Sequence, residues 1–150
     1  MLGHNRAPVS DWQLARGNYN FDDDAGAVGA FTIFTVTGDV LLKVVPAVCK
    51  DSVVGGVAPT STIELGVAGN TAVFIAQIAD ADDLLVNELW NDATPTTTVE
   101  QLDLEGANVF VVSNGQDVIF TVGDADLTAG DIDFYCLWRP LSAGATVVAA

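Results

Sequence analysis

The stretch DIDFYCLWR, residues Asp131–Arg139, alternates without a break between two kinds of side chain. Ile132, Phe134, Cys136 and Trp138 are apolar, whereas the residues between them are mostly charged or amphipathic. Successive side chains of a β-strand point to opposite faces of its sheet, so a period of two predicts a strand with one buried face. This strand contributes four side chains to a core and indicates a β protein.

Three pairs of apolar runs are each separated by a dipeptide that favours a tight turn. These dipeptides are Gly38-Asp39, Gly69-Asn70 and Asn114-Gly115. Glycine and asparagine adopt the positive φ that two-residue hairpin loops require, so each pair of runs predicts an antiparallel hairpin. The turn positions also predict the residues that face each other across each hairpin, which are Ile33 with Val44, Leu65 with Phe74, and Val111 with Val118.

Two more β-type runs cover residues 84–90 and 96–104, although the first also fits the period of a short helix. Pro46 cannot donate a backbone hydrogen bond, so it marks a bulge, an edge or the end of a strand. Strands spaced about ten residues apart are typical of a β-sandwich or a jelly roll. We therefore predict an all-β domain with at least seven antiparallel strands over residues 18–142.

The two ends of the chain lack this pattern. Residues 1–17 are predicted to form an extended N-terminal arm, with one helical turn near Asp11–Ala15, and residues 143–150 to form a small-residue C-terminal tail. Trp12 has two interpretations. It either packs on its own domain or anchors an interface, because tryptophan and arginine often contribute most of the binding energy there.

The chain is strongly acidic, with a formal net charge of −15. Residues 1–50 contain four basic and five acidic residues, whereas residues 51–150 contain fifteen acidic residues and one basic residue, Arg139. An acidic surface repels nucleic acids and anionic membranes, so we expect neither as a partner. The charge either serves solubility alone or separates a near-neutral docking region from an acidic face that points to solvent.

No apolar run approaches the ~20 residues of a membrane helix, and the first residues lack the apolar core of a signal peptide. We expect a soluble protein made in the cytoplasm. Cys49 and Cys136 lie in separate strand-like runs. They are predicted to be buried free thiols, as is usual in cytoplasmic proteins, and a disulfide between neighbouring strands is the alternative.

Few residues are suited to catalysis. His4 is the single histidine, so a Ser–His–Asp or Cys–His arrangement would have to form in the N-terminal arm. No glycine motif for nucleotide binding is present. The aspartate clusters are predicted to be solvated turns, and Asp80, Asp82 and Asp83 are the best candidates for a metal site. We expect neither an enzymatic activity nor a cofactor.

Six segments of the chain carry a family resemblance, and they are Gly17–Phe21, Gly38–Val44, Ile63–Thr71, Asn87–Asp92, Ser113–Asp117 and Phe134–Ser142. They resemble a group of small structural proteins encoded among the virion genes of tailed phages. The similarity covers most of the chain from Gly17 onward. It brings no active-site residues with it.

The resemblance implies a virion component, with head decoration (cement) as the favoured role. We expect a homotrimer on the outer capsid surface, made in the host cytoplasm and bound to the major capsid protein. The predicted interface residues are Arg6, Trp12 and Arg16. One alternative is a tail, baseplate or fibre module. Another is a carbohydrate-binding β-sandwich for host attachment, with exposed Trp90 or Tyr135 and a calcium ion near Asp80–Asp83.

Overall fold

The computed structural model describes residues 12–97, 99–100, 109–113 and 115–150. The described elements are β1 (Gln13–Asn20), α1 (Phe21–Asp24), β2 (Gly29–Thr37), β3 (Val40–Val54), β4 (Thr62–Val67), β5 (Asn70–Ile78), a 3-10 turn (Ala81–Asp83), β6 (Leu89–Trp90), β7 (Phe110–Val112), β8 (Val118–Gly123), β9 (Ala129–Pro140) and β10 (Thr146–Ala149). Every pairing between these strands is antiparallel.

The strands form two sheets around one core. The first sheet has the order β1-β9-β3-β6, and β7 also pairs with β3; the second has the order β10-β2-β8-β4-β5. Buried side chains of both sheets, such as Phe134 of β9 and Phe120 of β8, belong to one apolar cluster. The prediction of an all-β antiparallel sandwich is confirmed.

Most consecutive strands lie in opposite sheets. The order β1-β9-β3-β7 in one sheet and β2-β8-β4-β5 in the other is that of a jelly roll, in which the chain repeatedly crosses between the two layers. Among the described strands, β4 and β5 are the only consecutive ones that pair with each other. Nearly all pairing therefore joins segments that are distant in sequence.

Two of the three predicted hairpins are wrong for this reason. Gly38-Asp39 leads from β2 in the second sheet to β3 in the first, and Gly115 lies between β7 in the first sheet and β8 in the second. Both glycines have the expected positive φ, +69° and +83°. The chain does reverse at these positions, but it crosses the sandwich instead of pairing. Asn114 lies outside the described residues.

Contacts outside the turn explain the crossing at Gly38-Asp39. The backbone N–H of Asp39 donates to the Ser142 hydroxyl at 2.9 Å, and the N–H of Leu141 donates to the Asp39 carbonyl at 2.8 Å. The corner is thus held by the connection between β9 and β10. Positive φ permits either geometry, so the dipeptide alone does not distinguish a corner from a hairpin.

The third hairpin is confirmed as a pairing but not in its register. Leu65 faces Ile75 rather than Phe74, and Val67 faces Asn70, with irregularities between these pairs. The loop residues are therefore Ala68 and Gly69, and Gly69 has φ +86°. The turn begins one residue earlier than the Gly-Asn dipeptide suggested, and the irregularities between Val67, Leu65 and Ile63 then shift the partners along β5 in the opposite direction.

Replacing Gly66 with alanine tests the close approach of β4 and β5. A Cβ at this position would run into the backbone of Asn70 and Thr71, which a side-chain rotation cannot relieve. We expect Gly66→Ala to lower the free energy of unfolding by about 2–3 kcal/mol in urea titrations. Gly69→Ala is the control, because the space there is open and only the positive φ is unfavourable; a loss of about 1 kcal/mol is expected. Equal losses would contradict the steric explanation.

The alternating stretch forms β9 as predicted. Its side chains Ile132, Phe134, Cys136 and Trp138 are buried. β9 lies between β1 and β3. Pro46 lies within β3 at an irregularity between Val45 and Val48, so it marks a bulge.

The predicted arm and tail contribute strands. Residues 13–17 belong to β1, which pairs with β9 from Gln13 to Asn20, so the helical turn predicted near Asp11–Ala15 is wrong for residues 13–15. Residues 146–149 form β10 on the edge of the second sheet. Of the run at residues 84–90, only Leu89–Trp90 is a strand, and residues 101–104 of the next run lie outside the described residues.

Candidate binding surface on the first sheet

The outer face of the first sheet gathers basic and aromatic side chains. Pairing of β1 with β9 places Arg16 beside Tyr135 and Leu14 beside Leu137, and Arg139 lies over the ring of Trp12. These side chains alternate with the buried ones of β9, so they project away from the core. We call this group the basic–aromatic patch, defined by Trp12, Leu14, Arg16, Tyr135, Leu137 and Arg139.

Two cation–π contacts order the patch. The Cζ atom of Arg16 lies 5.9 Å from the centroid of the Tyr135 ring, and that of Arg139 lies 5.5 Å from the Trp12 ring. Both distances fall within the roughly 6 Å at which a guanidinium is attracted to an aromatic face. Leu14 is 51% exposed between them. The patch is thus a partly ordered, amphipathic surface on an acidic protein.

The same face becomes acidic toward the other end of β9. Asp131 and Asp133 follow on the same side of the strand, and the register places Asp51 of β3 opposite Asp131. Asn18 connects the two aspartates, because its amide donates to Asp131 at 2.7 Å and to Asp133 at 3.0 Å. We call Asp51, Asp131 and Asp133 the acidic patch.

Tyr135 lies where the two patches meet. Partial burial, and after it the nearby Asp133 carboxylate, raises the pKa of the Tyr135 phenol. The Arg16 guanidinium opposes this effect. Tyr135 therefore stays a neutral, hydrogen-bonding ring at the centre of the face at neutral pH.

The structure brings together two of the three predicted interface residues. Trp12 and Arg16 lie on the basic–aromatic patch, whereas Arg6 lies outside the described residues. Trp12 contacts Arg139 of its own sheet, as the first of its two interpretations expects, and it is only half-buried, so its ring remains on the surface that the second interpretation requires. Leu14, Leu137 and Arg139 were not predicted as their partners on this surface. The alternation of β9 marked two of them as outward-facing, but nothing in residues 1–17 indicated which strand lies beside them.

Lys43 of β3 pairs with Leu137 of β9, so the two side chains lie on the same face of the first sheet. The Lys43 side chain is nevertheless only 2% exposed. Its ammonium nitrogen is buried, and it has no hydrogen-bond partner among the residues that the structure describes. A buried cation without such partners is unfavourable, because the desolvation of the charge is not compensated. Within the part of the chain that the structure describes, Lys43 is thus an energetically unfavourable position.

Replacing Lys43 with methionine is expected to stabilise the protein. Methionine keeps the unbranched shape and removes the buried charge, so we expect the free energy of unfolding to rise by about 1–3 kcal/mol in urea titrations. Lys50→Met is the matched control, because Lys50 is exposed on the same strand and its replacement should change stability by less than about 0.5 kcal/mol. A loss of stability in Lys43→Met would show that the ammonium is compensated.

The candidate metal residues are engaged with the backbone. The Asp80 carboxylate accepts from the N–H of Asp82 at 3.2 Å at the start of the 3-10 turn, and the Asp82 carboxylate accepts from the N–H of Gly55 at 2.6 Å. Within residues 12–97, 99–100, 109–113 and 115–150, no group of three or more histidine, cysteine, aspartate or glutamate side chains could hold a metal ion. The structure thus does not bring Asp80, Asp82 and Asp83 together as ligands.

Trp90 is not available to a carbohydrate. It is completely buried, with ring centroids of Phe120 and Phe134 both 6.1 Å away. The prediction of an exposed Trp90 is wrong, because strand β6 pairs at the bulge of β3 and turns this ring into the core. Of the two rings named for glycan stacking, only Tyr135 reaches the surface.

Both cysteines are buried free thiols, as predicted. Cys136 faces Val44 and Cys49 faces Ile132, so the two lie four residues apart along the ladder. Four residues of a strand span about 13 Å, which is far beyond the reach of a disulfide. Burial raises the pKa of each thiol to about 12, so neither is a reactive thiolate at neutral pH.

No family model matches the chain, and neither a curated protein nor a solved structure shows significant similarity to it. Among the described residues, no helix is long and apolar enough to cross a membrane.

Proposed function

We propose that the chain is a non-enzymatic structural protein of a tailed-phage virion that decorates the head. One structural observation carries the proposal. Arg16 and Arg139, two of the five basic residues of a chain with net charge −15, lie on one face with the exposed Leu14 and two aromatic rings. The sequence resemblance to small phage virion proteins is the reason for proposing a phage head as the particle that the chain binds.

The composition of the basic–aromatic patch suits protein binding. Tryptophan, tyrosine and arginine are the residue types most often found to dominate binding energy, and the patch holds them together. The guanidinium groups rest on rings, so part of their conformational freedom is already lost before a partner binds. A partner with carboxylates and an apolar surface would complement this patch. In the proposal that partner is the major capsid protein.

The proposed mechanism is stabilisation by binding. A protein that binds the assembled shell but not free subunits favours the assembled state by mass action, and a ligand at about 100 times its Kd adds roughly 2.7 kcal/mol per site. In this mechanism the protein binds the outer capsid surface as a homotrimer, whose symmetry matches the three-fold positions of the shell. Jelly rolls occur in both viral capsid proteins and lectins, so the fold is compatible with this role without choosing it.

The test measures binding to phage particles that lack the protein. Arg16→Glu and Trp12→Ala should each weaken binding at least tenfold, because they remove the cationic and aromatic groups of the patch. Lys50→Glu is the matched control: it changes the net charge as much as Arg16→Glu, at an exposed site outside the patch. Deleting residues 1–11 tests Arg6 while leaving β1 intact. Wild-type binding by both patch variants would refute docking through this face.

Two readouts separate the role on the head from the alternatives. A decoration protein should be present in hundreds of copies per particle, whereas a tail, baseplate or fibre module should be present in few. Particles stripped of the protein should release DNA at a lower temperature than complete ones. Identical release curves with a low copy number would favour the tail modules.

A further inference from the structure

The basic–aromatic and acidic patches give the outer face of the first sheet an internal polarity. Arg139 and Arg16 lie at one end of the β1–β9 ladder, and Asp133 and Asp131 lie at the other. The two ends belong to the same strands, so the change of sign runs along the strand direction. The basic part of such a face can attract the acidic part of an identical face on another copy.

We propose that in the free protein this face pairs with the same face of a second copy. The two copies are related by a two-fold axis that lies between the sheets, perpendicular to the strands. In the β1–β9 ladder, Arg16 faces Tyr135 and Asn18 faces Asp133. The axis passes between these two pairs of residues. The strands of the two copies then run in opposite directions, and the Arg16–Tyr135 pair of each copy lies over the Asn18–Asp133 pair of the other.

The choice of axis follows from the charges. Rotation about an axis parallel to the strands would keep each residue pair of the ladder over the same pair of the partner, so the arginines of the two copies would become neighbours and so would the aspartates, which is repulsive. Rotation about the perpendicular axis places Tyr135 over Asp133 of the second copy, with Arg16 in diagonal reach of that carboxylate. The guanidinium already leans toward β9, since it lies 5.9 Å from the Tyr135 ring centroid. Each contact occurs twice in such an isologous interface.

The size of the face predicts a weak dimer. About this axis the ladder positions from Leu14 to Asn20 overlap over about 20 Å, and the strands of the sheet span about 19 Å, which gives roughly 400 Å² per copy. This area is at the lower limit for specific interfaces, so association should depend on concentration. The net charge of −15 on each copy opposes it at long range. Salt at 0.15 M screens charges beyond about 8 Å, whereas groups in contact are screened much less.

Pairing and binding to the shell would use one face and exclude each other. The free protein would keep its docking surface covered until a shell offers a better partner. The self-pairing itself does not rest on the proposed function, because it requires only purified protein. Failure of the self-pairing would leave particle binding untouched, and the reverse also holds.

Charge reversal provides the test. Arg16→Asp turns both contacts between position 16 and Asp133 into pairs of acidic residues, and Asp133→Arg turns both into pairs of basic residues. Each variant alone should therefore weaken self-association at least tenfold in sedimentation equilibrium at 0.15 M salt. An equimolar mixture of the two should associate again, because both contacts become attractive in the mixed dimer. The double variant Arg16→Asp/Asp133→Arg should likewise pair with itself.

Glu64→Arg is the control, since it changes the net charge as much as Asp133→Arg but lies on β4 of the second sheet, and it should leave association unchanged. Circular dichroism checks that each variant keeps its β-sheet spectrum. A wild-type protein that stays monomeric up to millimolar concentration would overturn the proposal. So would a dimer or trimer that both reversals leave unchanged, or reversals that the mixture does not rescue.

Discussion

Replacing Phe120 with alanine is expected to lower the free energy of unfolding by about 3–5 kcal/mol, the usual range for deleting a buried aromatic ring. Phe120 is completely buried, and its ring centroid lies 4.7 Å from that of Tyr19 and 5.8 Å from that of Phe134. These residues belong to β8, β1 and β9, so the ring joins the two sheets. Small domains are stable by only about 5–15 kcal/mol, and this variant should lose much of that margin.

Urea unfolding followed by tryptophan fluorescence measures the effect. Phe120→Leu is the control, because leucine keeps most of the volume; a loss of about 1.5 kcal/mol is expected. If the alanine variant lost no more than the leucine variant, the ring would not be the central contact between the sheets.

Raising the pH above 9 is expected to destabilise the protein steeply. Burial raises the pKa of Cys49 and Cys136 from an ordinary value of 9.0 to about 12 in the folded protein. The unfolded chain therefore loses these protons first. The stability that the buried thiols contribute is complete below pH 9 and is lost as the pH rises to 12. Between these limits each thiol should lower the free energy of unfolding by about 1.4 kcal/mol per pH unit.

Tyr19 steepens the loss above pH 10, because burial, and after it Asp24, raises its pKa from 10.0 to about 12. Urea titrations at pH 8, 9, 10 and 10.5 measure the slope. Between pH 9 and 10, Cys136→Ala should reduce the decrease in the free energy of unfolding by the contribution of one thiol, about 1.4 kcal/mol per pH unit. This expectation holds whatever the variant's stability at pH 8. A free energy of unfolding that stays constant from pH 8 to 10.5 would contradict the burial of both thiols.

From the sequence, the buried and exposed faces of single strands could be predicted better than the pairing and connections between strands. The alternation of β9 identified its buried and exposed faces, because the side-chain period of a strand is a local property. The glycine turns at Gly38 and Gly115 were found, but the hairpins were not. Whether a reversal pairs its flanking strands or crosses to the other sheet depends on distant partners, such as Ser142 for Asp39.

The same limit applies to the binding surface. Trp12 and Arg16 were chosen from residue type, since both are common at interfaces. Their neighbours Tyr135 and Arg139 could not be assigned to them, because residues 12–17 show no period of two and gave no sign of pairing with β9. The acidic patch was visible only as aspartates in an alternating strand. Its polarity relative to the arginines follows from the β1–β9 register.

The β1–β9 ladder also orders events during synthesis. Asn18 and its hydrogen-bond partner Asp131 are 113 residues apart, so β1 leaves the ribosome long before β9 exists. At about 5–20 residues per second, the first strand waits several seconds or more for the ninth. Trp12, Leu14 and Arg16 are brought beside Tyr135 and Arg139 only after that. A prematurely terminated chain therefore carries the aromatic and cationic groups of β1 but never assembles the patch.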